Sequence, residues 1–242
     1  MTHPEPEPVA LGEAAYQWLR AEIVACRIAP GQRLTERGLA AETGFGVSPI
    51  RDALTRLDHQ GLVRTVPRSG YQVKPLTIKS VDDLFEYWSI LGPEVARRGA
   101  LGASSEQLEQ MAAVLDQGAR LTGQQGTVRE IALEGVEFAR TLFGILAEAT
   151  GNEYLLSAYR RLESELSRVW ILVIDSELLD TGITHAASYD WAATLASRDG
   201  DAAAAHAREY IEKSHHRVLR TLARWPSVIM SEVVPLRRDP QK

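Results

Sequence analysis

Basic and hydroxyl side chains near residue 50 could recognise nucleic acid. Ser48 and Arg51 lie three residues apart, just before and just inside a predicted helix. Hydroxyl and guanidinium groups are donors of the kind that bind phosphate oxygens and base edges. The opposite face of this helix is apolar, since hydrophobic residues recur at spacings of four and three: Ile50, Leu54 and Leu57. Because that face turns inward, Arg51 is left on an outer face that is free to meet a DNA groove.

Two short helices joined by a tight turn, over residues 34–63, position these side chains. Thr35 can cap the first helix with its hydroxyl, and Gly44 ends it. Pro49 fits near the first position of the second helix, where its missing N–H costs nothing, and that helix is predicted to run to Gln60. A helix pair is equally typical of ordinary core packing, so this pattern alone does not separate packing from DNA binding.

A basic β-hairpin follows the helix pair. Two alternating stretches, residues 62–66 and 71–73, flank a turn at residues 67–70. Positive charge is spread along the hairpin: Arg64, Arg68 and Lys74. A charged hairpin suits contact with phosphates or with the minor groove, so this element favours DNA binding over a packing role.

Four segments carry a resemblance to a known family: PGQRLTE at 30–36, LAAETG at 39–44, PIRDALTRLDHQGLV at 49–63 and PRSGYQV at 67–73. They follow one another in order and without gaps. They resemble the winged helix-turn-helix domain of the GntR family of transcriptional regulators. The resemblance implies that the residues at matching positions contact double-stranded DNA: Arg37, Ser48, Arg51 and Gly70. We expect Arg68, on the hairpin, to lie beside the DNA backbone.

One departure from the family lies at the start of the second helix. The family often has Ser-Arg-Thr before the proline, whereas this chain has Gly46, Val47 and Ser48. These three residues are expected to form the turn and the leading edge that faces DNA. Because Val47 replaces an arginine, one usual contact is in doubt, and the sequence preference with it.

Length and composition indicate a two-domain protein without a membrane segment. A chain of 242 residues is long enough for a small head and a larger second core. The longest apolar run is too short to cross a bilayer, and residues 1–8, which lack the pattern of a signal peptide, are expected to be a disordered tail. The single cysteine, Cys26, excludes an intramolecular disulfide and fits a reducing cytoplasm.

The net charge of −5 is unevenly divided along the chain. Residues 9–75, the predicted DNA-binding domain, carry nine Lys and Arg against six Asp and Glu, a balance of +3. The field at the DNA-facing surface can therefore be attractive although the whole chain is acidic. Because the excess is modest, we expect binding to need two heads acting together and to weaken as salt rises.

Residues 76–228 are expected to form an all-helical domain, followed by a tail at 229–242. The fourth of six predicted helices has the clearest apolar stripe, at spacings of three and four: Leu155, Tyr159, Leu162, Leu166, Val169 and Val173. The expected fold class is mainly α, with an N-terminal winged helix-turn-helix bearing a small β-hairpin wing and a C-terminal all-α six-helix bundle.

Two segments of the helical domain also carry a resemblance: LAEATGN at 146–152 and SRDGDAAAAHAREYIEKS at 197–214. They resemble the FCD effector domain of the FadR branch, and its VanR-like subgroup in particular. The resemblance implies a homodimer that holds a small effector in the centre of the bundle. Binding of that effector would change the spacing or freedom of the two DNA-binding heads.

Many FCD domains hold a metal ion through one Asp and three His, and none of these ligands is present here. The ligand positions fall on Ala139, Phe143, Ser188 and Tyr210. Ala and Phe cannot bind a metal, and Ser or Tyr rarely does so without stronger neighbours. We therefore expect no metal and no other cofactor. A shifted site using His185 and His206 is disfavoured, because no His or Asp in the third helix compensates for the other two positions.

Without a metal, two hypotheses for this pocket remain open. In the first, it binds a small organic effector against an apolar wall, with Ser188 and the Tyr210 hydroxyl as sparse polar anchors. In the second, the aromatic side chains simply close the cavity and the domain only dimerises. The resemblance to the family favours the first.

The sequence favours a regulator over an enzyme. It has no Gly-rich phosphate loop, no paired metal motif and no Cys/His nucleophile pair. The hypothesis is a homodimeric, effector-responsive repressor whose two heads bind an inverted-repeat operator in double-stranded DNA. The alternative is a dimeric helical interaction module that has weakened or lost specific DNA binding, which the Val47 departure fits.

Overall fold

The structure, a computed structural model, describes residues 8–121, 127–176 and 189–224. The chain divides into two compact units between Thr77 and Ile78, and each unit is described by itself. The expected tails lie outside the described residues, except that the first helix already begins at Pro8.

Among its described residues, the first unit contains three helices and a small sheet. Its elements in chain order are α1 (Pro8–Val24), β1 (Arg33–Leu34), α2 (Glu36–Thr43), α3 (Val47–His59), β2 (Val63–Val66) and β3 (Gly70–Val73). The strands pair antiparallel in the order β1-β3-β2. Because β1 has only two residues, no alternating pattern marks it, and the sequence predicts only the hairpin of β2 and β3.

The helix pair α2 and α3 forms for the reasons that the sequence indicates. The Thr35 hydroxyl accepts a hydrogen bond from the Gly38 backbone N–H at 3.1 Å, and Gly44 ends α2 in the left-handed conformation at φ 77°. The apolar stripe of α3 is fully buried: Ile50, Ala53, Leu54 and Leu57 are each 0% exposed. The start of α3 differs from the prediction by two residues, since the helix begins at Val47 and Pro49 occupies its third position.

The second unit contains six helices among its described residues, which confirms the expected fold class. They are α4 (Ile78–Gly102), α5 (Ser105–Leu121), α6 (Val128–Ala149), α7 (Glu153–Asp175), α8 (Trp191–Ala196) and α9 (Gly200–Ala223). Side-chain caps begin several of them; Thr127 and Glu130, for example, form a reciprocal capping box at the start of α6. In the part of the chain that is described, no helix is long and apolar enough to cross a membrane.

Helix α4 is the centre of the second unit, because it packs against α6, α7 and α9. Glycines on α4 allow close approach of these neighbours. A β-carbon on Gly99 would lie 2.8 Å from Leu146 Cα on α6, and one on Gly92 would lie 2.5 Å from Ile211 Cδ1 on α9. At Gly99 the obstacle is backbone, so the neighbouring helix itself would have to move.

We predict that Gly99→Ala destabilises the second unit, by about 1–3 kcal/mol, because overpacking against backbone outweighs the better helix propensity of alanine. The matched control is Gly144→Ala on α6, where an added β-carbon meets nothing within 4 Å. That change should stabilise the unit by about 0.5–1 kcal/mol. Urea unfolding of both variants measures the difference; equal midpoints for the two would contradict close α4–α6 packing.

Candidate DNA-binding face and ligand cavity

A bidentate ion pair with Glu36 holds the Arg51 side chain on the exposed face of α3. Its Nε donates to Glu36 Oε1 at 3.0 Å and its Nη2 to Glu36 Oε2 at 2.8 Å, so the guanidinium lies across the start of α2. These hydrogen bonds lower the pKa of the Glu36 carboxyl, which keeps the pair ionised. The Arg51 side chain is nevertheless 60% exposed. It is therefore oriented by the protein and still accessible to a partner.

The junction between β1 and α2 brings three of the predicted DNA-contacting residues into one neighbourhood. Arg51 reaches Glu36, and Arg37 is the next residue on the exposed side of α2. Gly70 comes from the other side, at φ 86°, and a β-carbon there would lie 2.5 Å from the Leu34 carbonyl oxygen. Since only glycine fits so close to β1, Gly70 holds the turn end of the hairpin beside the start of α2.

The leading edge of α3 is exposed. Gly46, Val47 and Ser48 are all exposed, and Gly46, at the helix N-cap, has no side chain that could form a capping hydrogen bond. Uncapped backbone N–H groups in a first helical turn are suited to an anion such as phosphate. Val47 is 39% exposed and contributes an apolar surface where the family often has arginine.

Basic side chains at this surface remain available to a partner. The tip of the hairpin presents Arg68, which is exposed and adopts a left-handed φ of 63°. Within the described part of the first unit, Arg27 and Arg56 are bound to carboxylates. Arg33, Arg37 and Arg68 have no ion-pair partner among the described residues, so their charges can act on an external anion.

Glu36 is a residue of this face that the sequence analysis missed as part of the site. In the sequence it appears only as the last residue of PGQRLTE, a segment that carries the family resemblance. Glu36 and Arg51 lie fifteen positions apart in the sequence, so no local pattern indicates their contact. The only sign that the sequence offers is the acidic side chain of Glu36 itself, directly before Arg37.

The second unit contains a cavity that gathers three of the four predicted pocket residues. Ala139, Phe143 and Tyr210 line it; its cavity volume is about 30 Å³, and the empty space is about 330 Å³ when the open solvent at its mouth is counted. The other walls are mostly aromatic or apolar, with polar groups added at some positions: Trp88, Val136, Arg140, Tyr159, Glu163, Leu166, Ser167 and Trp170. Ser188 and His185 lie outside the described residues.

Aromatic rings stand at two of the positions that the family resemblance assigns to metal ligands, Phe143 and Tyr210. The ring centroid of Phe143 lies 5.9 Å from that of Trp88 and 6.0 Å from that of Tyr210, and Trp88 and Tyr210 meet edge to face at 5.7 Å. Burial raises the pKa of Tyr210 to about 12, while a hydrogen bond with Ser214 partly opposes this. Burial also raises the pKa of Tyr159. Both phenols are therefore neutral at physiological pH and are poor metal ligands.

His206 does not join these residues in a metal site. Its Nε2 lies 3.1 Å from the Thr194 hydroxyl, and its ring packs between those of Tyr189 and Trp191. Across residues 8–121, 127–176 and 189–224, no group of three His, Cys, Asp or Glu side chains could hold a metal ion. Ala139, Phe143 and Tyr210, the described residues at the positions that the resemblance assigns to metal ligands, therefore do not fit a metal.

We predict that Tyr210→Phe reduces the loss of stability at high pH. The pKa of Tyr210 in the folded chain, about 12, lies above its ordinary value of 10.0. Between these values the unfolded chain releases a proton that the folded chain keeps, so stability falls as pH rises. Phenylalanine keeps the ring but cannot ionise. Between about pH 9 and about pH 11 the variant should lose about 1 kcal/mol less than the wild type in urea unfolding, and equal losses would contradict a buried, neutral Tyr210.

Comparison with protein families matches both units. Residues 11–73 match the family described as bacterial regulatory proteins, gntR family, and residues 83–213 match the FCD domain. The second match alone covers more than half of the chain.

Curated relatives are transcriptional regulators. The Nta operon transcriptional regulator of Aminobacter aminovorans is 25% identical over 196 residues, which are 80% of this chain and 87% of that protein. The HTH-type transcriptional regulator YdhC of Bacillus subtilis (strain 168) is 35% identical over 71 residues, 29% of this chain. That match spans 32% of YdhC, and a match to BphR of Paraburkholderia xenovorans spans 43% of that protein. None of these names is that of an enzyme.

Solved structures share the fold. The E. coli protein McbR/YncC aligns with a TM-score of 0.63 at 14% identity, over 87% of this chain and 97% of that one. A GntR transcriptional regulator from Rhodococcus sp. RHA1 aligns with a TM-score of 0.62 at 18% identity, over 87% and 98%. With both units matched, the chain belongs to the GntR family of bacterial regulatory proteins, among the members that carry an FCD domain.

Proposed function

We propose that this chain is a cytoplasmic, homodimeric repressor that binds an inverted-repeat operator and responds to a small organic effector held without metal. Among GntR regulators it would fall in the FadR branch and the VanR-like subgroup. The observation that carries the proposal is the exposed guanidinium of Arg51, oriented by Glu36 on the outer face of α3. This is the geometry that a helix needs in order to recognise bases in the major groove.

For DNA binding, Arg51 would exchange its hydrogen-bonding partner, from the Glu36 carboxylate to a base of the operator. The guanidinium already forms a forked pair with a carboxylate, and guanine O6 and N7 present two acceptors with a similar geometry. Because the Arg51 side chain is 60% exposed, water screens the pair and Arg51 can leave it at little cost. Glu36 would then act as a positioning residue that presents the guanidinium before DNA arrives, while Ser48 contacts the backbone beside it.

The hairpin would form the second contact with DNA. Arg68 at its tip would approach the backbone or the minor groove, and Gly70 would hold the hairpin against β1. Arg37 would add a phosphate contact from α2. Since the head carries an excess of only three positive charges, tight binding requires both heads of a dimer on neighbouring half-sites.

The effector would bind in the cavity between α4, α6, α7 and α9. Ala139, Phe143 and Tyr210 lie at its wall, and Ser188 is proposed to add a polar anchor. The closely packed aromatic rings make the cavity wall apolar. An organic molecule would therefore bind by burying its apolar surface against the rings and by forming a few polar contacts. Its binding would change the affinity of the dimer for its operator.

One observation favours a second candidate function. Val47 presents an apolar side chain, 39% exposed, at the position where the family often has an arginine. If this loss outweighs the remaining contacts, the chain would be a dimeric interaction module without specific DNA binding.

We predict that Arg51→Ala lowers the affinity for the operator by about 5- to 150-fold without unfolding the head, the range expected on losing a bidentate base contact. Fluorescence anisotropy with DNA from upstream of the protein's own gene measures the change. Arg27→Ala is the matched control, because Arg27 forms the same kind of forked pair, with Glu22. Equal affinities for the two variants would refute the role of Arg51.

The interaction-module alternative predicts a different result in the same assay. Wild-type protein would then show no preference for upstream DNA over a shuffled duplex, even at low salt. If the wild-type protein forms a specific complex with the upstream DNA, and one compound from a metabolite panel dissociates that complex, the result would support the proposed repressor and its control by an effector.

A further inference from the structure

We infer that two copies of this chain associate through the solvent-facing side of α4, as an antiparallel pair of α4 helices related by a two-fold axis. The inference rests on the proposed function, because it names the surface that would form the homodimer; the second candidate function needs the same homodimer. Two properties of α4 carry it: exposed apolar side chains along the helix, and charged side chains at spacings that match under a two-fold axis.

The outer face of α4 is the side that turns away from the buried residues of the same helix. Its residues recur at spacings of three and four. They are Asp83, Glu86, Tyr87, Ile90, Glu94, Arg97, Arg98 and Leu101. Three of them are large apolar side chains left in solvent: Ile90 is 71% exposed, Leu101 58% and Tyr87 44%. Apolar surface gathered on one face, with charged groups around it, is typical of a contact with another protein.

The spacings on the outer face suit a second copy of the same chain. Consider an antiparallel pair of α4 helices whose two-fold axis passes between Ile90 and Glu94. Each residue then meets the one that lies equally far on the other side of this midpoint, and the axis also exchanges the left and right sides of the face. At 3.6 residues per turn, Arg98 lies about 60° to one side of the midline and Glu86 about 60° to the other. Arg98 of each copy therefore lies opposite Glu86 of the other, so the face is complementary to itself.

The side chains of Arg98 and Glu86 can form an ion pair only between copies. Within one α4 they lie about 18 Å apart, at a rise of 1.5 Å per residue. In its own chain, Arg98 donates from Nε to Glu94 Oε1 at 2.5 Å, but its side chain is 55% exposed and Glu94 is shared with Arg97. Glu86 is exposed and has no ion-pair partner among the described residues, although its charge acts on Lys79. The partner's Glu86 would supply a second carboxylate to two guanidinium groups that share one on α4.

Aromatic and aliphatic contacts would fill the centre of the same helix pair. Tyr87 and Arg97 lie about 40° to either side of the midline, so the guanidinium of the partner's Arg97 would lie over the Tyr87 ring as a cation–π contact. Arg97 is oriented by Glu94 and by Asp201 on α9, and its side chain remains 39% exposed. The two Ile90 side chains would flank the axis and lose their exposure to water. An apolar centre inside a charged rim is the usual arrangement of a protein interface.

Substitution of Ile90 tests the inference on the full-length protein, with analytical ultracentrifugation over a range of concentrations as the measurement. We expect the wild type to be a dimer. Ile90→Lys would place two ammonium groups beside the two-fold axis, so it should raise the Kd of the dimer by about a hundredfold or more. Tyr154→Lys is the matched control, because Tyr154 is a large side chain that is 88% exposed on α7; it should leave the Kd unchanged.

Two outcomes of this experiment would overturn the inference, and they differ in what they say about the proposed function. If Ile90→Lys dimerises as tightly as the wild type, the copies meet at another surface, and the proposed homodimer stands without this face. If the wild type is a monomer, the homodimer in the proposed function is wrong as well. The measurements contain no DNA, so they are independent of the operator assay.

Reversal of charge tests the antiparallel arrangement itself. Glu86→Arg and Arg98→Glu would each place like charges opposite one another across the axis, so each should raise the Kd of the dimer by about tenfold. The double variant restores opposite charges and should return the Kd to within about threefold of the wild type. Because the two residues are too far apart to pair within one helix, this rescue can arise only between copies. A double variant that dimerises no better than the single variants would overturn the inferred pairing.

Discussion

Burial of one face of α3 is the constraint on which the DNA-binding unit depends. Ile50, Leu54 and Leu57 are completely inaccessible to solvent, and burying each such side chain contributes about 1.5–3 kcal/mol. The exposed pair of Arg51 with Glu36 is much weaker, because water and salt screen it. The buried core therefore sets the rotation of α3 about its axis, and this places Arg51 on the outer face of the helix. The ion pair with Glu36 then only orients the guanidinium group. In the proposed function, this division would let the same arginine leave Glu36 for DNA at little cost to the fold.

The second unit depends in the same way on how closely α4 approaches its neighbours. Gly99 lies against the backbone of α6 at Leu146, and Gly92 lies against Trp88 and Ile211. A larger side chain at either position would push α6 or α9 away from α4. Since these helices supply much of the cavity wall, the glycines determine the width of the cavity as well as the stability of the unit. A site made of rings in mutual contact tolerates little change in that width.

Features that a local sequence pattern encodes could be predicted from the sequence. Contacts that only tertiary packing creates could not. The stripe of α3 and the cap at Thr35 follow from spacing and side-chain chemistry, and both are present. Strand β1 was missed because two residues carry no alternation. Glu36 was missed because its partner lies on another helix. In the second unit, positions inherited from the family indicated Ala139, Phe143 and Tyr210, but Trp88 and Glu163 looked like any core or surface residue of an amphipathic helix until α4, α6 and α7 were packed together.

The replacement of metal ligands that the family resemblance implies would change what the cavity requires of an effector, while the helices that build the cavity stay the same. A metal ion bound by one Asp and three His would leave a positive charge in the cavity, which an anionic ligand could neutralise. Here the corresponding positions on α6 and α9 carry Ala139, Phe143 and Tyr210, and none of these brings a charge. The Glu163 carboxylate and Arg140, which pairs with Glu137, also line this cavity. A ligand there would therefore bind mainly by burial against the aromatic rings and not by neutralising the charge of a metal. The helices themselves do not need the metal ligands, because their packing depends on glycine contacts and apolar stripes.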